Sequence, residues 1–325
     1  AIEIILSGIS DEIIASGHRV VHGGEKFKEA VIIDAEVKNE IRRCFDLAPL
    51  HNPQNLAGII AIEELLPRAK NVAVFDTAFH QTIPEYAYLY ALPFYLYKKY
   101  NIRKYGFHGI SHQYVSQKAA TLLSKPLEDL RLITCHLGNG CSICAIKGGK
   151  SIDTSMGFTP LEGLIMGTRC GDIDPTIVTY LISSAGLTIN EINAMMTGQS
   201  GLAGISGISN DMKVLLEKLT EGNTRAKLAI DMFCYRVGKY IGAYISALGF
   251  VDAIVFTAGI GERSPLIRKK CLEGLSLYNI SVDDSLNKST TEGIISKKNS
   301  NTKVMVIPTD EELMIAKQVS SLIKM

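Results

Sequence analysis

The chain has 325 residues, 46% of them hydrophobic and 21% charged, which is typical of a soluble globular protein long enough for two domains. Its formal net charge of +1 provides no excess of positive charge for binding nucleic acid or a membrane surface, and both classes of partner are therefore excluded. The seven cysteines lie mostly among apolar neighbours, which is typical of a protein in a reducing cytosol and predicts a cytoplasmic location.

The pattern of residues predicts strands mixed with helices along the whole chain. The first nine residues, AIEIILSGI, have the spacing of an amphipathic helix. Runs rich in β-branched residues predict strands at 18–24, 72–79, 132–140, 142–152, 253–259 and 303–309. Helical spacing predicts helices at 35–46, 55–66, 111–123, 174–185, 211–221, 224–248, 264–276 and 310–323. The polar stretch 287–302 is predicted to be a surface loop, and the fold class is α/β.

Several predicted strands end in turns that contain glycine. These turns are HGGE after residue 21, HLGNG at 136–140 and TAGIGE at 257–262, and GISGIS at 204–209 is similar. Backbone N–H groups in such turns suit phosphate oxygens. The sequence contains neither a P-loop nor a complete dinucleotide fingerprint, which disfavours a dinucleotide oxidoreductase. A nucleotide site would therefore need a fold that holds phosphates between hairpin turns.

Cys141 and Cys144 form a C-x-x-C motif where the fourth predicted strand, 142–152, begins. Since no second cysteine or histidine pair completes a zinc site, we interpret both residues as structural.

Four charged or polar residues lie in apolar, glycine-flanked strings. Arg19 lies inside the strand string HRVV, Asp76 follows VAVF, and His108 lies in YGFHGISH. Arg169 lies in the glycine-rich loop 153–175, and ordered loops of this length are usually functional. Burying such charges without a partner costs several kcal/mol, so a structural ion pair is the alternative for Arg19. By contrast, we interpret His51, His80 and His112 as core residues.

The longest of these strings resemble the acetate kinase (acetokinase) family over essentially the whole chain and in the family's order. They include GHRVVHGGEKF, APLHNPQN, RKYGFHGISH, DTSMGFTPLEGLIMGTRCGDIDP and IPTDEELMIA. The resemblance implies the sugar kinase/Hsp70/actin fold, in which two βββαβαβα domains bind ligands in the cleft between them. The first domain would comprise residues 1–80 and 312–325 and be partial. Residues 81–311 would form the second domain, which binds nucleotide and dimerises.

The resemblance also implies a role for each unusual residue. Arg19 and Arg169 match the two arginines that hold the acyl carboxylate and the transferring phosphoryl group. Asp76 matches a carboxylate that orients an arginine or a magnesium-bound water, and His108 matches the histidine that donates a hydrogen bond to the phosphoryl oxygens. Glu311 matches the carboxylate associated with Mg²⁺ or Mn²⁺, and Glu312 is the second candidate.

Two binding regions follow from the same resemblance. The wall around the acyl methyl group is formed by Val21, Leu50, Phe107 and Pro160. The nucleotide region comprises His136, Gly138, Asn139, Gly140, Asp211, Met212, Lys213, Gly259, Ile260 and Gly261. This chain differs from the family at Lys213, where the family has an arginine, and at Arg263, directly after TAGIGE, where the family has an asparagine.

The implied activity is reversible, Mg²⁺-dependent transfer of the γ-phosphoryl group of ATP to acetate, giving acetyl phosphate and ADP, by a cytosolic homodimer. A kinase for propionate or another short-chain acid is an alternative, because one methylene changes discrimination by only ~1 to 3 kcal/mol. The family's opening motif N-x-G-S-S-S-L-K does not occur in this sequence. A truncated, non-catalytic nucleotide-binding remnant is therefore a further alternative.

Overall fold

The computed structural model describes residues 12–49 and 51–323. The helix predicted at the first nine residues, and Leu50 of the predicted acyl wall, lie outside the described residues. The chain separates into two compact units. The first contains the described residues up to Thr82 together with Tyr105–Tyr114 and the residues from Asp310 onward, and the second contains Ile83–Lys104 and Val115–Thr309.

The first unit is built on a three-stranded sheet. Its strands are β1 (Ala15–Val20), β2 (Val31–Ile32) and β3 (Lys70–Phe75), in the order β1-β3-β2. Strand β1 is parallel to β3, and β2 is antiparallel to it. The core under this sheet includes Val20 and Phe75, whose neighbour Phe27 stacks on Phe75 with ring centroids 4.5 Å apart.

The second unit contains a six-stranded sheet in the order β6-β5-β4-β7-β9-β8. The strands are β4 (Arg131–Leu137), β5 (Cys141–Lys147), β6 (Lys150–Thr154), β7 (Ala253–Thr257), β8 (Gly293–Ile294) and β9 (Lys303–Val306). Strands β4, β5 and β6 form an antiparallel meander, whereas β7 and β9 run parallel to β4. Because every residue of β7 is buried, this sheet lies at the centre of the unit.

The helices connect these strands and cover them. They are α1 (Ala35–Arg43), α2 (Asn52–Leu65), α3 (Glu85–Tyr88), α4 (Phe94–Tyr100), α5 (Gly109–Leu123), α6 (Thr176–Ser183), α7 (Ile189–Gly198), α8 (Gly201–Ser206), α9 (Met212–Thr220), α10 (Thr224–Leu248), α11 (Ala258–Arg263), α12 (Pro265–Leu272), α13 (Asp284–Ser289) and α14 (Glu311–Ile323). Short 3₁₀ turns occur at Ala78–Thr82, Leu127–Asp129 and Glu273–Tyr278. No helix in the described part of the chain is long and apolar enough to cross a membrane.

The α/β fold class is confirmed, with one sheet in each unit. Two details differ from the sequence prediction. The strand predicted at 142–152 is a hairpin, because Gly148 and Gly149 adopt positive φ angles of 58° and 74° and turn the chain between β5 and β6. The stretch predicted as a surface loop at 287–302 contains β8 and the buried side chain of Asn287.

The units also differ from the predicted domain division at its boundaries, where residues 81–82 and 310–311 group with the first unit, and at one internal segment. Tyr105–Tyr114 groups with the first unit, although the sequence analysis assigned it to the second domain. The physical reason is a close backbone contact, in which the Gly109 amide donates to the Asp76 carbonyl at 2.9 Å.

Candidate functional site

Three charged residues predicted from the sequence meet at one edge of the first unit's sheet. Arg19 lies one residue before the end of β1, and Asp76 follows the last residue of β3. These strands are parallel and in register, with Arg19 opposite Val74, so their carboxyl ends share one edge. The Asp76 amide donates to the Val20 carbonyl at 3.0 Å, which extends the ladder and fixes the carboxylate beside Arg19.

The Arg19 guanidinium is held by two carboxylates. Its Nε donates to Asp76 Oδ1 at 3.0 Å, and its Nη2 donates to Asp76 Oδ2 at 2.8 Å. On the other side, Nη1 donates to Glu311 Oε2 at 2.9 Å. A planar guanidinium held in this fork geometry has one orientation. The arrangement therefore fixes a cation whose side chain is still 39% exposed.

The electrostatics of this cluster favour a permanently charged arginine. Burial acts to lower the pKa of Arg19, but the charge of Asp76, its hydrogen bonds and the charge of Glu311 outweigh it and raise the pKa. Burial raises the pKa of Asp76, and the neighbouring guanidinium opposes that change. Such a buried carboxylate is stabilised as an anion mainly by its cationic partner.

Glu311 has the properties of a metal-associated carboxylate. It lies in the first turn of α14, where Glu312 beside it is exposed. One oxygen, Oε2, binds Arg19, whereas Oε1 is buried without a hydrogen-bond partner in the described part of the chain. A carboxylate oxygen with unused lone pairs is a suitable ligand for Mg²⁺, which typically takes one or two protein carboxylates and completes its shell with phosphates and water. The residues present therefore fit a magnesium ion.

His108 is held in an unusual backbone conformation at the start of α5. Its φ is 57°, in the left-handed region that a residue with a Cβ rarely adopts, and such strain is concentrated at functional sites. The following residue must be glycine, since a Cβ on Gly109 would lie 2.3 Å from the Asp76 carbonyl oxygen. The residue after His108 therefore packs directly against the backbone of Asp76, the partner of Arg19.

The turn after β1 is fixed by polar side chains that were not predicted from the sequence. The Asn52 side chain accepts from the His22 amide at 3.0 Å and donates to the His22 carbonyl at 2.9 Å. Asn55 accepts from the Val21 amide at 3.1 Å, and Thr77 accepts from the Gly23 amide at 3.1 Å. The two asparagines lie in APLHNPQN, one of the strings that carry the family resemblance, and that resemblance is the signal that could have found them.

Two predicted acyl-wall residues belong to the first unit. Val21 is half-buried, and Phe107 is buried with its ring 5.6 Å from the ring of His22. His22 is fully buried, and burial lowers its pKa to about 3, so the imidazole is neutral. Its Nδ1 accepts from the Gly24 amide at 3.0 Å, which places the ring proton on Nε2. Phe107 of the predicted acyl wall therefore packs against the neutral ring of His22.

Arg169 lies in the second unit and has a very different environment from Arg19. Its Nη1 donates to the Pro160 carbonyl at 3.1 Å and lies 3.6 Å from the Met166 sulfur. Among the described residues, no carboxylate lies within ion-pair distance of it. Burial lowers the pKa of Arg169, although a guanidinium remains charged at neutral pH. A half-buried guanidinium that lacks a carboxylate partner among the described residues can bind an anionic ligand.

The loop that carries Arg169 has no regular secondary structure, but neighbouring backbone groups fix it. Amides of α8 and the residue before it donate to the carbonyls of Met166, Gly167 and Thr168 at 2.8–2.9 Å. Gly201 must be glycine, because its φ is 61° and a Cβ would lie 2.2 Å from the Met166 carbonyl oxygen. The prediction of an ordered loop is therefore correct.

The HLGNG turn between β4 and β5 packs directly against this loop. The Gly167 amide donates to the Asn139 carbonyl at 2.9 Å, and a Cβ on Gly167 would lie 2.0 Å from Asn139 Oδ1. The turn itself is closed by the Gly138 amide, which donates to the Gly140 carbonyl at 3.1 Å. His136, the first residue of this string, is the next-to-last residue of β4. The turn and the Arg169 loop thus form one structural unit.

The other predicted nucleotide residues lie at two helix starts. Asp211 caps α9 by accepting from the Lys213 amide at 2.8 Å, and the Asn210 side chain donates to Asn139 Oδ1 at 3.1 Å. Lys213 is exposed, whereas Met212 is buried, so the Met212 side chain belongs to the core.

Gly259, Ile260 and Gly261 form the start of α11, directly after β7. A Cβ on Gly259 would meet no atom within 4 Å, so this turn is open on that side. Arg268, which was not predicted from the sequence, is buried and donates to the carbonyls of Gly261 and Glu262 at 2.9 and 2.7 Å. Burial lowers its pKa to about 10. Arg268 therefore fixes the last turn of α11, the helix that begins at this glycine turn.

The cysteines fit the structural interpretation. Cys141 and Cys144 are fully buried as free thiols, and burial raises their pKa well above the ordinary range.

Comparison with known proteins places this arrangement in a family. The model of the acetokinase family matches residues 4–317. The chain is 57% identical over 317 residues to an acetate kinase of Caldicellulosiruptor saccharolyticus, with 97% of this chain and 79% of the relative covered. A crystal structure of Porphyromonas gingivalis acetate kinase superposes with a TM-score of 0.95 at 46% identity, covering 99% of this chain and 84% of that one. A propionate kinase from Francisella tularensis superposes with a TM-score of 0.94 at 47% identity, covering 98% and 82%. With so much of the chain matched at this identity, the chain belongs to the acetokinase family.

Proposed function

We propose that this chain transfers the γ-phosphoryl group of ATP to acetate, reversibly and with Mg²⁺, giving acetyl phosphate and ADP. The observation that carries the proposal is a pair of arginines with different carboxylate partners. Arg19 is oriented by Asp76 and Glu311, and Arg169 has no carboxylate partner among the described residues. A reaction that joins a carboxylate to a phosphoryl group presents two anions, and two arginines match that demand.

The chemistry requires positioning and charge neutralisation more than proton transfer. The carboxylate of acetate is ionised at neutral pH, so one of its oxygens attacks the γ-phosphorus without a general base, and the bond to the β-phosphate oxygen breaks. In this proposal Arg169 neutralises charge on the transferring group, and Arg19 orients the carboxylate. His108, held in its strained conformation, donates a hydrogen bond to the phosphoryl oxygens.

Glu311 is the residue that would hold Mg²⁺, through the buried Oε1 that Arg19 does not use. The bound ion supplies positive charge to the phosphate oxygens of ATP. Mn²⁺, which also prefers oxygen ligands, is an alternative.

The nucleotide is proposed to bind the second unit. Backbone amides in the HLGNG turn, next to His136, and in the glycine turn at Gly259–Gly261 suit phosphate oxygens. The segment Asp211–Lys213 lies beside Asn139 through Asn210, which supports a role for it with the adenosine. Lys213 provides an exposed ammonium rather than a planar guanidinium, so we expect less stacking on the base.

Acetate is the favoured acid, with propionate as the second candidate. The half-buried Val21 and the buried Phe107 belong to the proposed wall around the methyl group, together with Leu50 and Pro160. A solved relative at 47% identity is a propionate kinase, which is the observation that favours the alternative.

We further propose that the protein is a cytoplasmic homodimer formed through the second unit. Helix α10 exposes Leu228 and Met232, one helical turn apart, and α6 exposes Ile177 and Tyr180. Exposed apolar side chains on neighbouring turns of a helix are typical of a surface that a second copy covers. Light scattering on the purified protein tests this; a monomer at micromolar concentration would contradict it.

The proposed activity is tested by trapping acyl phosphate with hydroxylamine in a reaction that contains purified protein, ATP, Mg²⁺ and either acetate or propionate. The expected result is hydroxamate from both acids, with the higher kcat/KM for acetate. A higher kcat/KM for propionate would reverse the substrate assignment. ATP binding without any hydroxamate would refute the catalytic proposal and favour a nucleotide-binding protein.

A further inference from the structure

The segment that bears Arg169 is a closed loop with a defined neck. Gly163 and Asp172 face each other where the loop begins and ends. The Asp172 amide donates to the Gly163 carbonyl at 3.0 Å, and the Gly163 amide donates to Asp172 Oδ1 at 2.8 Å. The eight residues between them, 164–171, therefore leave and return at one point.

The neck requires a glycine on each of its two sides. Gly163 has a φ of 106°, and a Cβ there would lie 2.4 Å from the Ser155 carbonyl oxygen. Gly171 has a φ of 68°, and a Cβ there would lie 2.3 Å from the Leu164 carbonyl oxygen. The two glycines allow the close approach, but they have no side chains with which to hold it.

Two side chains from helix α10 hold the neck closed. Tyr240 donates its hydroxyl to Asp172 Oδ2 at 2.7 Å. One turn earlier, Arg236 donates to the Gly163 carbonyl at 3.0 Å and to the Asp172 carbonyl at 3.3 Å. Its guanidinium also lies 3.5 Å from the Asp172 carboxylate. Both sides of the neck are thus bound by residues that share one helix face.

Helix α10 is a suitable anchor because it is among the most deeply packed elements of the second unit. Residues on its inner face, including Phe233, Val237 and Ile241, are fully buried. Burial raises the pKa of Tyr240, and its bond to Asp172 raises it further, so the hydroxyl remains a donor. A rigid helix that grips the neck limits the positions available to the loop.

We propose that Asp172, Arg236 and Tyr240 form a clasp of positioning residues that fixes the Arg169 loop for phosphoryl transfer. The inference rests on the proposed function, since it assigns the clasp a purpose through Arg169. No clasp residue needs to touch substrate. The clasp acts by keeping the Arg169 guanidinium where charge develops on the phosphoryl group, and a misplacement of about 1 Å in such a group costs about 10²-fold in rate.

The test compares Tyr240→Phe with wild type and with Tyr278→Phe, which changes an exposed tyrosine of the same unit. Arg236→Lys is the second clasp variant, because lysine keeps the charge and loses the planar fork. Each protein is assayed for kcat and for the KM of ATP. Hydrogen exchange of the backbone amides in residues 164–171 and the Tm are measured on the same samples.

We expect Tyr240→Phe to lower kcat by about 10- to 10²-fold with the KM of ATP and the Tm unchanged, while the loop amides exchange faster. Tyr278→Phe should match wild type in every measurement. Wild-type exchange of the loop in both clasp variants would overturn the clasp, whatever their turnover. Faster exchange with wild-type kcat would overturn its role in catalysis. If wild-type protein forms no acyl phosphate, the proposed function fails, and the exchange data still decide whether the clasp holds the loop.

Discussion

Asp76→Asn separates the orientation of Arg19 from the stability of the fold. Asparagine has nearly the shape of aspartate, but it presents an NH₂ group to a guanidinium that can only donate. Asp76 accepts three hydrogen bonds from Arg19, at 2.8, 3.0 and 3.2 Å. The substitution removes the negative charge and one of the two oxygens that accept them. Arg19 would keep the bond from Nη1 to Glu311 and a weaker, uncharged bond to the remaining amide oxygen.

The expected cost in activity is much larger than the cost in stability. Removing one preorganised electrostatic contact typically lowers kcat by about 10² to 10³, and we expect a loss in that range. Breaking a fully buried ion pair costs about 3 to 5 kcal/mol, but Arg19 is 39% exposed and keeps Glu311. We therefore expect the free energy of unfolding to fall by no more than about 2 kcal/mol, less than typical domain stabilities of about 5 to 15 kcal/mol.

The assay is hydroxamate-trapped acetyl phosphate, with urea unfolding of the same preparation. The matched control is Asp46→Asn, which changes an exposed aspartate of the same unit. It should leave both kcat and stability at wild-type values. Wild-type turnover by Asp76→Asn would refute the reasoning, and so would a loss of turnover that merely follows the unfolded fraction.

Three further predictions follow from the first unit. His22 has a folded-state pKa of about 3, below its unfolded value, so it lowers the free energy of unfolding as the pH falls. Between pH 7.5 and 5, the free energy of unfolding of His22→Asn, measured in urea, should fall by about 2 kcal/mol less than that of wild type. An equal fall in both proteins would contradict this. Gly109→Ala places a Cβ 2.3 Å from the Asp76 carbonyl oxygen, so it should destabilise by about 1 to 3 kcal/mol and reduce turnover. Gly58→Ala, with open space around it, should do neither. Val21→Ala should raise kcat/KM for propionate relative to acetate by up to about 10- to 10²-fold, and an unchanged ratio would exclude Val21 from the acyl wall.

Elements with complete local signals could be predicted from the sequence. Helix α10 has the predicted bounds 224–248, because Asn223 caps its first turn, Gly249 ends it, and buried residues recur every three or four positions. The strands β2 and β8 have two residues each, too few for a β pattern to be seen. Helices α3, α8 and α11 were missed for the same reason, with four to six residues each.

The parts of the candidate site could be predicted individually, but not their partners. Arg19 and Asp76 were identifiable because each is charged in an apolar string. The family resemblance also implied that Asp76 orients an arginine or a magnesium-bound water. Glu311, which completes this cluster, is 292 positions away from Arg19, and no spacing rule reaches that far. Arg268 was missed because PLIRKKCL reads as an ordinary basic helix surface, and its burial depends on the distant Asn287.

The central claim is that Arg169 is a catalytic cation and that the loop around it holds the guanidinium in position to bind an anion. The most direct test is the rate of acetyl phosphate formation by Arg169→Ala, measured beside Arg43→Ala, which removes an exposed arginine from the first unit. We predict that Arg169→Ala lowers kcat by about 10³-fold or more with the Tm unchanged, and that Arg43→Ala has the wild-type rate. Near-wild-type turnover by Arg169→Ala would contradict the account.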